Sequence, residues 1–272
     1  MPNGASARTI PATPAGYAKA NTAYWAQRSA SYRTQHQEEL ADAHNAAWTR
    51  ELQGQLQRVF GLTDGLEVLD IGCGPGFTSI ILARLGCSVT AIDYTPAMLE
   101  AARANACACG QHVRFVHMDA QDLRFADASF SAVVSRNLTW NLPRPSAAYR
   151  EWARVLRPGG LLLNYDANWY GYLTDADLRD AWEADRVRAR AQHVEDCTLR
   201  GGNAKAMEAI AASAPASYLQ RPAWDIATLE GLGLSATADA QVAKRVWSRA
   251  ELLSQASTPL FRIHARKDRP QE

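Results

Sequence analysis

The sequence predicts an α/β protein built on a mostly parallel sheet with helices on both faces. Three observations carry this expectation. Leu69 to Ser79 reads LDIGCGPGFTS, which is a strand end, a bare glycine turn and a helix start. Apolar runs ending in an acid recur at Asp70, Asp93 and Asp119, with helical stretches between the strands. The phrase RVLRPGGLLL, Arg154 to Leu163, swings a helix through a tight turn into another apolar run. Strands alternating with helices give a parallel sheet.

In order, residues 1 to about 16 are rich in Ala, Pro, Ser, Gly and Thr and are expected to be disordered. From Tyr17 to Gly61, Tyr24, Trp25, Tyr32, Leu40, Trp48, Leu52 and Leu56 recur at helical spacing. Residues 62–166 supply the core. Val68 to Ile71 is the first strand. Gly72, Gly74 and Gly76 then let the backbone lie against a ligand, since no Cβ blocks the approach. The helix from Thr78 to Leu85 presents free N–H groups and partial positive charge behind that turn. Val89 to Asp93 is a second strand, followed by Thr95 and Pro96, a helix cap and first-turn pair. Asp93 lies 21 positions past Gly72, where an acid accepts hydrogen bonds from both hydroxyls of a ribose. Val113 to Leu123 holds a third strand, Phe130 to Leu142 a fourth with its exit loop, and Leu161 to Tyr165 a fifth. Residues 167–222 are too long for a plain connection and are read as a helical cap. Residues 223–272 supply a helix from Ile226 to Gly231 and strands over Gly233 to Val242 and Leu260 to Arg266. The expected whole is a seven-stranded sheet with one antiparallel strand.

Composition narrows the function. The 272 residues carry 29 Lys and Arg against 28 Asp and Glu, a net charge of +1, which argues against a nucleic-acid partner. No apolar run approaches membrane-span length and the N-terminus lacks a signal-peptide core, so a cytoplasmic protein is expected. The 5 cysteines are irregularly spaced and do not form a disulfide framework. Cys107 and Cys109 form a C-A-C pair with no partner cluster, so no metal is expected.

The glycine turn separates two ligands. A dinucleotide fingerprint runs G-x-G-x-x-G; here the spacing is G-x-G-x-G, with Asp70 just ahead of it, where a pyrophosphate would meet like charge. With Thr95-Pro96-Ala97-Met98-Leu99 and the R-V-L-R-P-G-G phrase, the pattern resembles the class I methyltransferases that use S-adenosyl-L-methionine, of the small-molecule type. The resemblance covers about Val68 to Asp166 and implies a Rossmann-like sheet.

It also implies roles. Asp70 falls near the amino-acid portion of the cofactor, beside the turn formed by Gly72, Cys73 and Gly74. Asp93 takes the ribose, and Tyr94 lies beside the adenine. Met98 packs near the cofactor. Asp119 meets the adenine amino group and Ala120 a ring nitrogen. An N-terminal helix covers the cofactor, with Tyr24, Trp25 and Arg28 near its carboxylate. Ser135, Arg136 and Asn137 sit at the carboxyl edge of the sheet. The exit loop reads Asn137-Leu138-Thr139-Trp140 and lacks the N/D-P-P-aromatic motif of nucleic-acid amine methylases, so the acceptor is expected to be a small molecule. Trp140, Trp169 and Tyr170 offer an aromatic wall for a flat or cationic acceptor. Tyr32, His36, Asp166 and His193 are the candidate bases. A monomer or homodimer is expected. The alternatives are a nicotinamide-dependent oxidoreductase and a regulatory protein that binds the cofactor without catalysis.

Overall fold

The computed structural model describes residues 14–194 and 203–268. Most of the expected N-terminal tail, and Cys197, lie outside these residues. The helical region begins earlier than expected, with α1 over Pro14–Ala41, and continues in α2, Ala43–Phe60. Asp42 separates them and caps α2, accepting from His44 N–H at 2.7 Å. Gly61 ends α2 in the left-handed region (φ 77°), where a side chain is strained.

The core alternates β1 (Glu67–Ile71), α3 (Phe77–Arg84), β2 (Ser88–Asp93), α4 (Pro96–Ala108), β3 (Arg114–His117), β4 (Phe130–Arg136), α5 (Pro145–Val155) and β5 (Leu156–Asp166). Next come α6 (Ala176–Ala191), α7 (Ala204–Ala211), α8 (Ala223–Glu230), β6 (Leu234–Asp239), α9 (Ala243–Val246), α10 (Arg249–Ser254) and β7 (Phe261–Lys267). The seven strands run in the order β3-β2-β1-β4-β5-β7-β6, with β7 antiparallel to both neighbours and β1 to β5 parallel. Strand order reverses between β1 and β4. Ligands of open α/β sheets bind beyond the strand ends at such a switch point.

Side-chain alternation builds a core on each face. Val68, Ala132, Val134, Leu161 and Leu163 face one apolar cluster with Trp48, Leu52 and Ile80. Leu69, Ile71, Val133 and Leu162 face the other with Tyr149, Trp152 and Ile263. Each fully buried aliphatic side chain contributes roughly 1.5–3 kcal/mol.

Two stretches differ from expectation. β5 begins at Leu156, so the R-P-G-G turn is part of the strand, with an irregular register against Phe130 and Ala132. A Cβ on Gly160 would come within 2.7 Å of the Arg157 carbonyl oxygen, which explains a glycine there. The sixth strand stops at Asp239 rather than Val242, and α9 and α10 follow it. They span 4 and 6 residues, too short for helical periodicity to show.

Candidate active site

The glycine turn closes the switch point. Gly72, Gly74 and Gly76 have φ of 68°, 50° and 89°, the left-handed region that glycine occupies without strain. Gly72 and Cys73 N–H both donate to the Ile92 carbonyl, at 2.9 and 3.0 Å, tying the turn to β2. A Cβ on Gly74 would stand 3.6 Å from the Tyr32 ring and 4.0 Å from the His36 ring. The middle of α1 therefore roofs the turn. Asp93, at the end of β2, accepts from Gly74 N–H at 2.9 Å and from Thr95 N–H at 2.8 Å.

A cavity of about 730 Å³ runs from this turn beneath α1 to the segments after β5. The turn side of its wall includes Gly72, Cys73, Gly74, Asp93, Tyr94 and Met98. Asp119 and Ala120 line it beyond β3. Asp119 accepts from Gln121 N–H at 2.8 Å, and the Ala120 carbonyl accepts the Trp152 indole N–H at 2.9 Å. Tyr24, Trp25, Arg28, Tyr32 and His36 line it from α1, and Arg136, Asn137 and Trp140 from the end of β4. Trp169 and Tyr170 complete the set of expected residues that the fold brings together.

Four expected residues stay off this wall. Asp70 is 1% exposed and accepts from the Ser79 hydroxyl at 2.5 Å, joining β1 to α3. Burial raises its carboxyl to about 7, against the Ser79 hydrogen bond. Ser135 is buried and donates to the Ile71 carbonyl at 3.0 Å, stitching β4 to β1. His193 is exposed at the end of α6.

Asp166 is fully buried and saturated. It accepts from Trp140 N–H at 2.8 Å, Ala167 N–H at 2.9 Å, the Trp169 indole at 3.2 Å and Arg221 Nη1 at 2.9 Å. Arg221 also grips Asp225, which accepts from the Tyr149 hydroxyl at 2.5 Å. Asp166 thus anchors the β4 exit loop and the residues after β5, and it has no lone pair left for a base's task. This corrects the expectation that placed it among the bases.

Arg136 shows how the wall is fixed. Its guanidinium lies 4.8 Å from the Trp48 ring centroid and 4.6 Å from that of Phe77, and it pairs with Glu39 at 3.2 Å. Burial works against ionisation of Glu39, yet Arg136, helped by His36 and Gln35, holds its carboxyl at about 2. His36 lies one turn before Glu39, with its ring 4.4 Å from that of Tyr32. Burial takes its imidazole down to about 4, with Glu39 opposing and Arg136 adding to the drop. Asn137 leaves β4 at φ 57°, a left-handed turn that asparagine tolerates better than most residues.

The far side of the cavity is aromatic. Trp140 and Tyr170 rings lie 5.1 Å apart, Tyr170 and Tyr172 5.9 Å, and Tyr172 and Trp182 4.4 Å in a near-parallel stack. Tyr172 donates to Glu208 at 2.8 Å. Tyr172, Trp182, Arg186, Arg190, Met207 and Glu208 also line the cavity, and sequence reasoning missed them. Trp182, Arg186 and Arg190 recur every four residues on α6, a one-face spacing that was there to be read. Among the described residues, no group of three His, Cys, Asp or Glu is placed to hold a metal ion.

Comparison with known proteins agrees with this architecture. Residues 69–164 match the family described as "Methyltransferase domain". A ubiquinone biosynthesis O-methyltransferase of Xanthomonas axonopodis pv. citri is 40% identical over 99 residues, 36% of this chain and 41% of that protein. A demethylmenaquinone methyltransferase of Tropheryma whipplei is 38% identical over 124 residues, 46% of this chain and 48% of that protein. The chain thus spans less than half the length of these relatives. Among solved structures, a chain of the complex containing the Haloferax volcanii Trm112 methyltransferase activator superposes with TM-score 0.54 at 17% identity, covering 91% of this chain and 97% of that one. The YcgJ protein of Bacillus subtilis superposes with TM-score 0.50 at 18% identity, covering 79% and 97%. Residues 69–164 are thus similar to a methyltransferase domain, and the whole has the α/β fold of these solved structures. The match selects this reading of the glycine turn over the dinucleotide one.

Proposed function

We propose that the protein transfers the methyl group of S-adenosylmethionine to a small-molecule acceptor held against the aromatic wall. One observation carries this reading: a single cavity joins the glycine turn and Asp93 to Trp140, Tyr170 and Trp182. Donor and acceptor therefore share one continuous space, as in-line transfer requires. The residues fit the cofactor. Gly72, Cys73 and Gly74 present their backbone to the cavity. Asp93 faces a ribose with a carboxylate, and Asp119 and Ala120 fall where an adenine edge is read. Asn137 Oδ1 and Arg136 Nε are buried without a partner, ready for the amino-acid end.

When bound, the sulfonium supplies an electrophilic methyl group. The protein's task is to align the acceptor and exclude water. In this reading α1 covers the donor and residues 167–222, with α6 and α7, cap the acceptor. The relatives' names, a ubiquinone biosynthesis O-methyltransferase and a demethylmenaquinone methyltransferase, fit a ring-bearing acceptor. The near-neutral charge supports a partner other than nucleic acid, for a monomer or homodimer. No helix among the described residues is long and apolar enough to cross a membrane. Cys73, Cys87, Cys107 and Cys109 are free thiols, which supports action in the reducing cytoplasm.

A small-molecule panel with isotopically labelled methyl donor tests the activity. Incorporation of label into a low-molecular-weight product is expected. Tight donor binding with no turnover on any extract would instead favour a regulatory protein.

A further inference from the structure

We infer that the acceptor presents a phenolic or enolic hydroxyl to His36, which takes its proton as the oxygen is methylated. The inference rests on the methyltransferase reading above and names the acceptor class for that same site.

The observation is an unpaired side chain. His36 is 4% exposed and lines the cavity, yet neither of its ring nitrogens has a hydrogen-bond partner. A buried polar group left unsatisfied is costly, and a ligand that meets it recovers that cost. The ring is held in place by Tyr32 at 4.4 Å and Phe77 at 5.6 Å, and it overlooks Gly74. In the methyltransferase reading donor and acceptor share the cavity that His36 lines, so a hydroxyl held there can reach its ring.

The charge state decides what the imidazole does there. Glu39 faces it from its own helix and Arg136 from β4; Tyr32 is the titratable ring in contact with it. Burial and Arg136 keep it neutral through the physiological range. A neutral imidazole offers one lone pair and one N–H. A neutral amine attacks a sulfonium through its own lone pair and loses its proton afterwards, so it needs no base. A hydroxyl becomes strongly acidic as its oxygen gains the methyl group, and a base in reach lowers that barrier.

The step balances. The O–H proton passes to an imidazole nitrogen and the oxygen lone pair forms the new O–C bond. The C–S bond breaks with its pair on sulfur, so the sulfonium becomes a neutral thioether. The positive charge ends on His36, which returns its proton to solvent after product leaves.

The test uses the full chain, matched phenols and anilines, and the variants His36→Gln and His36→Asn. Phenols should be methylated and the matched anilines should not. Either variant should lower kcat at least about 100-fold while the donor Kd, read by calorimetry, stays within about threefold. On the wild-type protein, histidine ring NMR should show His36 neutral at pH 6 and shifted when a phenol binds, a readout that needs no variant to fold. The acid limb of kcat/KM should fall near pH 4, well below that of an ordinary histidine. Methylation of amines alone would overturn the inference. So would variants that weaken donor binding tenfold with kcat unchanged, since His36 would then serve the cofactor's amino-acid end. Absence of any donor binding by the wild-type protein would instead defeat the methyltransferase reading itself.

Discussion

At the residue scale, Asp70, Asp93 and Asp166 look alike in the sequence, each an acid closing an apolar strand. Their surroundings give them different work. Asp93 lines the cavity and accepts from the N–H groups of Gly74 and Thr95 on its own rim. Asp93→Ala is expected to weaken S-adenosylmethionine binding more than about tenfold, the loss of hydrogen bonds to a charged acceptor; calorimetry reads it. Asp70 faces Ser79 and Asp166 faces Arg221. Asp166→Asn takes away one of Arg221's two carboxylates and leaves Asp225 as its counter-charge; losing one hydrogen bond between charged groups costs about 1.5–3 kcal/mol. The urea midpoint should fall accordingly. A midpoint unmoved while turnover vanished would return Asp166 to the candidate bases. The strand-end acids were legible because strand ends are. Their partners were not: Arg221 lies 55 positions from Asp166, and only the fold brings them together.

At the element scale, α1 is a strap fastened at three points. Near its start the Tyr17 hydroxyl donates to the Asn141 carbonyl and side chain, at 3.0 and 2.9 Å. Near its end Glu39 holds Arg136. Just past it, His44 bridges Asp42 at 2.9 Å and Glu251 at 2.6 Å. The hydrogen bond to Glu251 leads the rise of the His44 imidazole to about 9, over the opposing effect of burial. A folded value above the unfolded 6.5 means stabilisation that is complete below pH 6.5 and lost as pH rises through 9. Thermal melts of wild type and His44→Gln should therefore differ at pH 6 and converge above pH 9. A constant gap across that range would contradict the bridge. Hydrogen exchange should also slow in α1 when the donor binds beneath it, while β1 and β4 stay unchanged. Uniform exchange in α1 with and without donor would show that it does not close over the site. The helical spacing of Tyr24, Trp25, Tyr32 and Leu40 made this element legible. Its latches were not, since Asn141 and Glu251 belong to short structures with no periodic signature.

At the scale of the whole molecule, the sheet was legible because its apolar runs, glycine turn and R-P-G-G phrase each obey local rules. The order β3-β2-β1-β4-β5-β7-β6 came only with the structure, since parallel strands can be wound in more than one order. The cavity was only half legible. Its donor side comes from consecutive strand ends. Its acceptor side gathers Trp140, Tyr172, Trp182 and Met207 from separate segments, and no spacing rule announces that convergence. The central claim is that this one space takes a sulfonium cofactor at the switch point. Titration calorimetry of the wild-type chain with S-adenosylmethionine, its demethylated product and NAD tests it most directly. The account predicts one-to-one binding of the first two, abolished or sharply weakened in Asp93→Ala, and no heat from NAD. Binding of NAD with no response to S-adenosylmethionine would contradict it.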